Sequence, residues 1–246
     1  MKDLILITGG NGIVGQILIK SFNKSHFDIL HLHHSRNYSN YSLPKLTDMN
    51  KYERITVIHS GQPKAPRSLI ERVNYKKASC RLFKESIEKN FSVIFVSSMS
   101  AHNGNLSYYS KDKKYLENMV INYGGCVIRL GLVESKLSSS PYFKVKKLYK
   151  QLNAIGLTNL VNFNSYEITK AQDLSDFISF SEISKLKGYL NIASSSFELK
   201  DINSFKLSKK TFCAFRILLV ILSRLNLGRA DAFLNLSAGM RNDVEE

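Results

Sequence analysis

Near its start the chain runs through an apolar, strand-length stretch, breaks into glycines and resumes with helical periodicity: LILITGGNGIVGQILIKSF, residues 4–22. Glycines at this point permit a sharp turn and a close approach to the backbone. The helix that follows leaves its first N–H groups unpaired and its dipole positive, a ready site for a phosphate. Gly10, Gly12 and Gly15 satisfy G-x-G-x-x-G, and Gly9, Gly12 and Gly15 give T-G-x-x-G-x-x-G with Thr8. In a strand–loop–helix context that spacing points to a dinucleotide with its pyrophosphate at the helix N-terminus. Thr8, Gly9, Gly12, Ile13, Val14 and Gly15 are the candidate contacts.

The rest of the pattern agrees with such a fold. Further strand candidates are residues 28–33, 55–60, 92–98, 126–131 and 189–194, and helix-length segments lie at 13–24, 68–89 and 108–123. Ile-, Val- and Leu-rich strands alternating with helices predict a parallel sheet covered on both faces, an α/β, Rossmann-like doubly wound architecture. The expected division is a dinucleotide-binding domain over 1–131 and a smaller substrate lobe over 132–246, interleaved with the sheet, where the remainder reads as helices with one or two short strands. Ligands of open α/β sheets bind at the carboxyl edge.

About 20 residues after the glycines, NAD binders usually carry an acidic side chain for the ribose 2′-hydroxyl. Here Ser35 and Arg36 follow the second strand. A guanidinium there suits a 2′-phosphate, which favours NADP over NAD. The net charge of +15 is spread along the chain and not gathered into an arm, so it favours anionic small molecules; no aromatic-rich basic motif suggests nucleic acid. Cys80, Cys126 and Cys213 are far apart, and HLHHS sends His31 and His33 to one strand face and His34 to the other, so neither a disulfide framework nor a metal site is expected. The opening residues lack the apolar h-region and cleavage site of a signal peptide, and a cytoplasmic protein is expected. The apolar stretch 209–228 is interrupted by Arg216 and Arg224, too short a run to span a membrane. It reads as a helix docked on the domain or at a subunit contact, with peripheral membrane contact as the alternative.

The segment SYYSKDKKYLE, residues 107–117, poses a separate question. At 100° per residue Leu116, Met119, Val120 and Tyr123 form an apolar stripe, and Tyr109 and Lys113 fall within about 20° and 60° of Leu116. Lys111 and Lys114 read as solvated. An ammonium near a phenol lowers its pKa, which would let Tyr109 act as an acid or base near neutral pH; a snorkelling lysine beside a core tyrosine reads equally well. Ser97, Ser98 and Ser100, at the end of the preceding strand, offer hydroxyls for the same substrate oxygen.

Together these residues resemble the extended short-chain dehydrogenase/reductase superfamily, whose members are NAD(P)-dependent nucleotide-sugar epimerases, dehydratases and reductases. The resemblance is carried by TGGNGIVG, VIHSG, RVNYKKAS, VSSMS, Tyr109-x-x-x-Lys113 with Glu117, and CVIRLGLV with Arg129 and Gly131, and it spans roughly residues 3–205. It implies Tyr109 as general acid/base, Lys113 as the residue that lowers its pKa and binds the nicotinamide ribose, and Ser98 as the hydroxyl on the substrate, with Ser100 the competitor. It adds His59, Ser60, Gly61 and Asn74 on the cofactor side and Ser100 and Asn103 on the substrate side. Leu130 stands where the family has proline, and AHNG where it has Tyr-Gly; both touch the substrate side.

The function so implied is an NADP(H)-dependent oxidoreductase acting on a nucleotide-sugar, a 4-keto-sugar reductase of surface-polysaccharide precursor synthesis. A 4-epimerase is the alternative, and a non-catalytic NADP-sensing or nucleic-acid-binding member of the fold is another. A homodimer through the two long helices is a family-level expectation.

Overall fold

The computed structural model describes residues 2–22, 27–33, 41, 43–44, 49–62, 69–101, 107–134, 142–143, 166–180 and 182–197. Ser35, Arg36, Asn103, Cys213 and the stretch 209–228 lie outside the described residues. In chain order the elements are β1 (Lys2–Thr8), α1 (Ile13–Phe22), β2 (Phe27–Leu32), β3 (Tyr52–His59), α2 (Leu69–Glu88), β4 (Ser92–Ser98), α3 (Tyr108–Asn122), β5 (Cys126–Leu130), β6 (Leu132–Glu134), β7 (Tyr166–Lys170), α4 (Ala171–Phe180), β8 (Gly188–Ile192) and β9 (Ser195–Phe197).

They group into two compact units: Met1–Ser97 with Tyr115–Arg129 and Ala171–Asn191, and Ser98–Lys114 with Leu130–Lys170 and Ile192–Glu246. The first unit is organised around a six-stranded sheet of order β2-β1-β3-β4-β5-β8, in which β1 pairs in parallel with β2 and β3, and β3 with β4. Five consecutive buried residues in β1, Leu4 to Thr8, are the signature of a strand covered on both faces. Leu4 and Leu6 of β1 and Val57 of β3 meet Ala78 and Leu82 of α2. Phe83 of α2 and Leu116 and Val120 of α3 pack with Val93 and Phe95 of β4 and Val127 of β5. α1 and α4 pack together, and their Ser21 and Ser175 hydroxyls hydrogen-bond at 2.8 Å.

The strand order reverses between β1 and β3, where Thr8 lies directly opposite His59 in the register. A doubly wound sheet has its ligand crevice at such a switch point, outside the carboxyl ends of the strands. The second unit holds a small sheet of order β6-β7-β9, with β6 parallel and β9 antiparallel to β7. Thr169 of β7 ties it together, accepting the Gly131 N–H at 2.9 Å and donating to the Ile192 carbonyl at 2.5 Å. Among the described residues no helix is long and apolar enough to cross a membrane.

The expected stripe on α3 holds for Leu116 and Val120, both fully buried, but not for Tyr123, which is 43% exposed. The helix ends at Asn122 and Gly124 turns the chain, so Tyr123, its N–H still bonded to the Met119 carbonyl at 3.2 Å, stands at the exposed end of the stripe. Lys111 is exposed as expected, whereas Lys114 is half-buried.

Candidate active site

The glycine turn after β1 is closed by Gly12 N–H donating to the Gly9 carbonyl at 2.9 Å, and α1 then begins at Ile13. Gly9 has φ of +70°, a left-handed conformation that costs a side chain dearly. A Cβ there would stand 2.5 Å from the Cα of Gly61, and one on Gly15 would stand 2.2 Å from the Gly9 carbonyl oxygen. The loops after β1 and β3 therefore touch backbone to backbone. Such a bare cradle, opening onto a helix N-terminus at the switch point, fits a pyrophosphate. Ser60 donates to the Thr8 carbonyl at 2.7 Å, so Thr8, Gly9, Gly12, Ser60 and Gly61 gather in one place. Ile13, Val14 and Gly15 form the first turn of α1, and Asn74 is half-buried on α2. The ring of His59 is fully buried, stacked with Tyr75 and Phe95 at centroid distances of 5.9 and 5.7 Å.

The second unit brings Ser98, Ser100, Tyr109 and Lys113 together. Ser107 caps α3, its Oγ accepting the Ser110 N–H at 3.1 Å while its carbonyl accepts Lys111 N–H, which fixes the first turn and so the place of Tyr109. The Ser98 hydroxyl hydrogen-bonds the Tyr109 phenol and also accepts from Ser100 Oγ at 3.1 Å. Lys113 is buried, with its Nζ 5.9 Å from the Tyr109 ring centroid, over the ring face. This alters the electrostatic expectation. Burial of the hydroxyl raises the Tyr109 pKa to about 12, and the bond from Ser98 opposes that only in part. The phenol is an acid held protonated at neutral pH, where an ammonium close to its oxygen was expected to make it an easily ionised group. The residue as a whole is half-buried; it is the hydroxyl that is enclosed.

In the first unit, sequence reasoning noted Glu117 and Arg129 without giving either a role. Arg129 meets Glu117 in two hydrogen bonds, Nε to Oε1 at 3.0 Å and Nη2 to Oε2 at 2.7 Å, and Ser97 donates to the same Oε1 at 2.6 Å. Both charged groups are buried, Glu117 completely. The cluster bolts α3 to β4 and β5 one turn beyond Lys113. A carboxylate on the buried stripe of α3 and an arginine inside an apolar strand are the signals that point to such a pair.

A parallel sheet with a bare glycine cradle at its switch point defines the doubly wound dinucleotide-binding class of fold. No protein-family model matches the sequence, and no curated protein does. Solved structures give the nearer likeness. A dTDP-4-dehydrorhamnose reductase from Bacillus anthracis in complex with NADP superposes with a TM-score of 0.57 at 16% identity, over 86% of this chain and 86% of that one. A UDP-N-acetylglucosamine 4-epimerase from Bacillus cereus gives 0.56 at 16%, over 88% and 84%. A short-chain dehydrogenase/reductase superfamily protein from Agrobacterium tumefaciens with bound NAD gives 0.56 at 12%, over 89% and 82%. What is shared at these identities is the fold.

Proposed function

We propose that the chain is an NADP(H)-dependent oxidoreductase acting on a nucleotide-linked sugar, specifically a 4-keto-sugar reductase of surface-polysaccharide precursor synthesis. The observation that carries this reading is the assembly of Ser98, Tyr109 and Lys113 on one strand end and one helix. In reduction a carbonyl oxygen gathers negative charge and needs a proton. Tyr109, protonated through the neutral range, donates it, and Ser98 hydrogen-bonds the same oxygen and holds it in place. Lys113 stabilises the phenolate left behind by charge attraction. A bound nicotinamide supplies the hydride. The amides of Gly12, Ile13 and Val14 would take the pyrophosphate, and Arg36 the 2′-phosphate. The net charge of +15 favours a diphosphate-linked substrate.

Ser35 and Arg36, where an NAD binder usually carries an acidic side chain, favour reductase over epimerase, because an epimerase holds its cofactor through both half-reactions and usually uses NAD. The test is a fluorescence titration with NADPH and NADH, repeated for Arg36→Ala, followed by NADPH consumption with dTDP- and UDP-linked 4-keto-sugars. NADPH binding that collapses in Arg36→Ala and turnover that requires Tyr109 are expected. Cofactor that copurifies and will not exchange would replace the reductase with an epimerase. Failure to bind either dinucleotide would overturn the reading.

A further inference from the structure

The fully buried imidazole of His59 sits where the strand order reverses between β1 and β3, and both of its ring nitrogens have partners. Thr8 Oγ1 lies 2.7 Å from Nδ1, and Ser79 Oγ and the Tyr75 hydroxyl lie 3.0 and 3.3 Å from Nε2, with donor and acceptor set by the ring tautomer. In either tautomer Thr8 Oγ1 has a lone pair for the Gly61 N–H at 3.1 Å. The relay runs from the Gly61 amide through Thr8 and His59 to Ser79 of α2. Its terminal group, Gly61, has its Cα 2.5 Å from where a Cβ on Gly9 would stand.

We infer that His59 is a positioning residue for the dinucleotide. Its ring orients the Thr8 hydroxyl, which holds the Gly61 amide and so presses the loop after β3 against the glycine turn after β1. The ring touches neither cofactor nor substrate; it sets the geometry of a cradle whose binding groups are backbone. This rests on the cofactor reading above and assigns the cradle's precision to a side chain in the core of the unit. It also explains why a histidine rather than an aliphatic residue ends β3. A residue in that place must hydrogen-bond Thr8 on one edge and Ser79 on the other, and imidazole does both.

Two substitutions separate positioning from packing. His59→Phe keeps an aromatic ring between Tyr75 and Phe95 but cannot accept from Thr8. His59→Asn loses the ring but places an amide oxygen near Nδ1. Hydrogen exchange at the Gly61 amide in the absence of cofactor, and the NADPH Kd, are measured for both, together with thermal stability. Under the inference His59→Phe speeds Gly61 exchange and raises Kd by about tenfold, the scale set by a part-buried N–H losing its acceptor. His59→Asn, though less stable, stays within about threefold of wild type in both. Thr8→Val matches His59→Phe, and the double variant is no worse than either, because each cuts the same relay. Ser79→Ala gives a smaller effect in the same direction and carries the test if His59→Phe does not fold. Gly61 protection and Kd unchanged in a folded His59→Phe, or lost equally in His59→Asn, would overturn the inference. If wild type binds neither NADPH nor NADH, it is the cofactor reading that fails, and Gly61 exchange still decides the relay.

Discussion

At the carboxyl ends of β1 and β3 the groups of the candidate cofactor cradle are backbone, whereas the candidate catalytic groups of the second unit are the side chains of Ser98, Tyr109 and Lys113. The difference decides how each responds to its surroundings. A glycine cradle exists because Cβ atoms are missing: at Gly9 and Gly15 an added carbon would overlap backbone at 2.5 and 2.2 Å. Its N–H groups do not titrate, so nearby burial changes their position but not their chemistry. A phenol is different. The same enclosure that holds Tyr109 beside Ser98 moves its pKa up to about 12, so the phenol keeps its proton further into the alkaline range and is a weaker acid than a free one.

The largest effect that can break the comparison is loss of proton transfer with binding intact. Tyr109→Phe removes only the hydroxyl and is expected to lower turnover about 10²- to 10⁴-fold. NADPH affinity should stay within twofold, because the cradle belongs to the other unit and is made of backbone. A comparable loss of affinity in Tyr109→Phe would show that the two regions do not act independently.

Next comes the Glu117–Arg129 pair. Glu117→Gln keeps the shape but faces a buried guanidinium with a neutral amide, and removal of one partner from a buried pair costs about 3–5 kcal/mol. Urea denaturation is expected to register that loss. Replacing both partners, Glu117→Leu with Arg129→Met, should recover much of it, since apolar groups of similar volume carry no unpaired charge. An equal or greater loss in the double variant would mean that the pair's geometry, and not its charge balance, holds α3 in place.

The readability of the two regions differs for the same reason. The glycine turn is local, so it stood out in the sequence, and β4 and the starts of α1 and α3 fell where the apolar runs placed them. Tyr109 and Lys113 were legible as a pair through helical spacing, and Ser98 through its place at the end of an apolar strand. The state of Tyr109 was not, because it depends on whether Lys113 reaches the phenol oxygen or lies over the ring, and spacing of one turn allows both. His59 was named only through the family resemblance, because a sequence shows where a strand ends and not which way its last ring turns. The small sheet of β6, β7 and β9 was the least legible, since strands of three to five residues carry too few alternations to show a period.

Alkaline unfolding sharpens the contrast further. Tyr109 in the second unit and Cys126 in the first both have pKa values raised by burial to about 12, from 10.0 and 9.0. In each case the folded state keeps its proton longer than the unfolded chain does. The stability this represents is complete below the unfolded pKa and is lost as pH rises from there toward 12. Stability should thus begin to fall above about pH 9 through Cys126 and fall more steeply above about pH 10 through Tyr109. Denaturation midpoints against pH should show Cys126→Ala removing the earlier part and Tyr109→Phe the later, each on the order of a few kcal/mol at most. Reduction of a keto-sugar, by contrast, should hold its rate between pH 7 and about 9 if Tyr109 serves as the acid, and a rate rising with pH would mark it as a base.

The smallest expected effect isolates what a glycine in the cradle contributes beyond its backbone angle. Gly124 ends α3 with φ of +76°, its N–H bonded to the Ile121 carbonyl at 2.9 Å, and a Cβ there would meet nothing within 4 Å. Gly124→Ala therefore meets only the left-handed conformational penalty, about 1–2 kcal/mol of stability, and leaves NADPH affinity alone. Gly9→Ala meets a similar φ of +70° but adds the overlap with Gly61. If the cradle works by close approach, Gly9→Ala must weaken NADPH binding by more than tenfold at a stability cost at least as large as that of Gly124→Ala. If the two substitutions instead cost the same stability and neither changes Kd, the glycines serve only as turn formers, and the contact between the loops after β1 and β3 is not what binds the pyrophosphate.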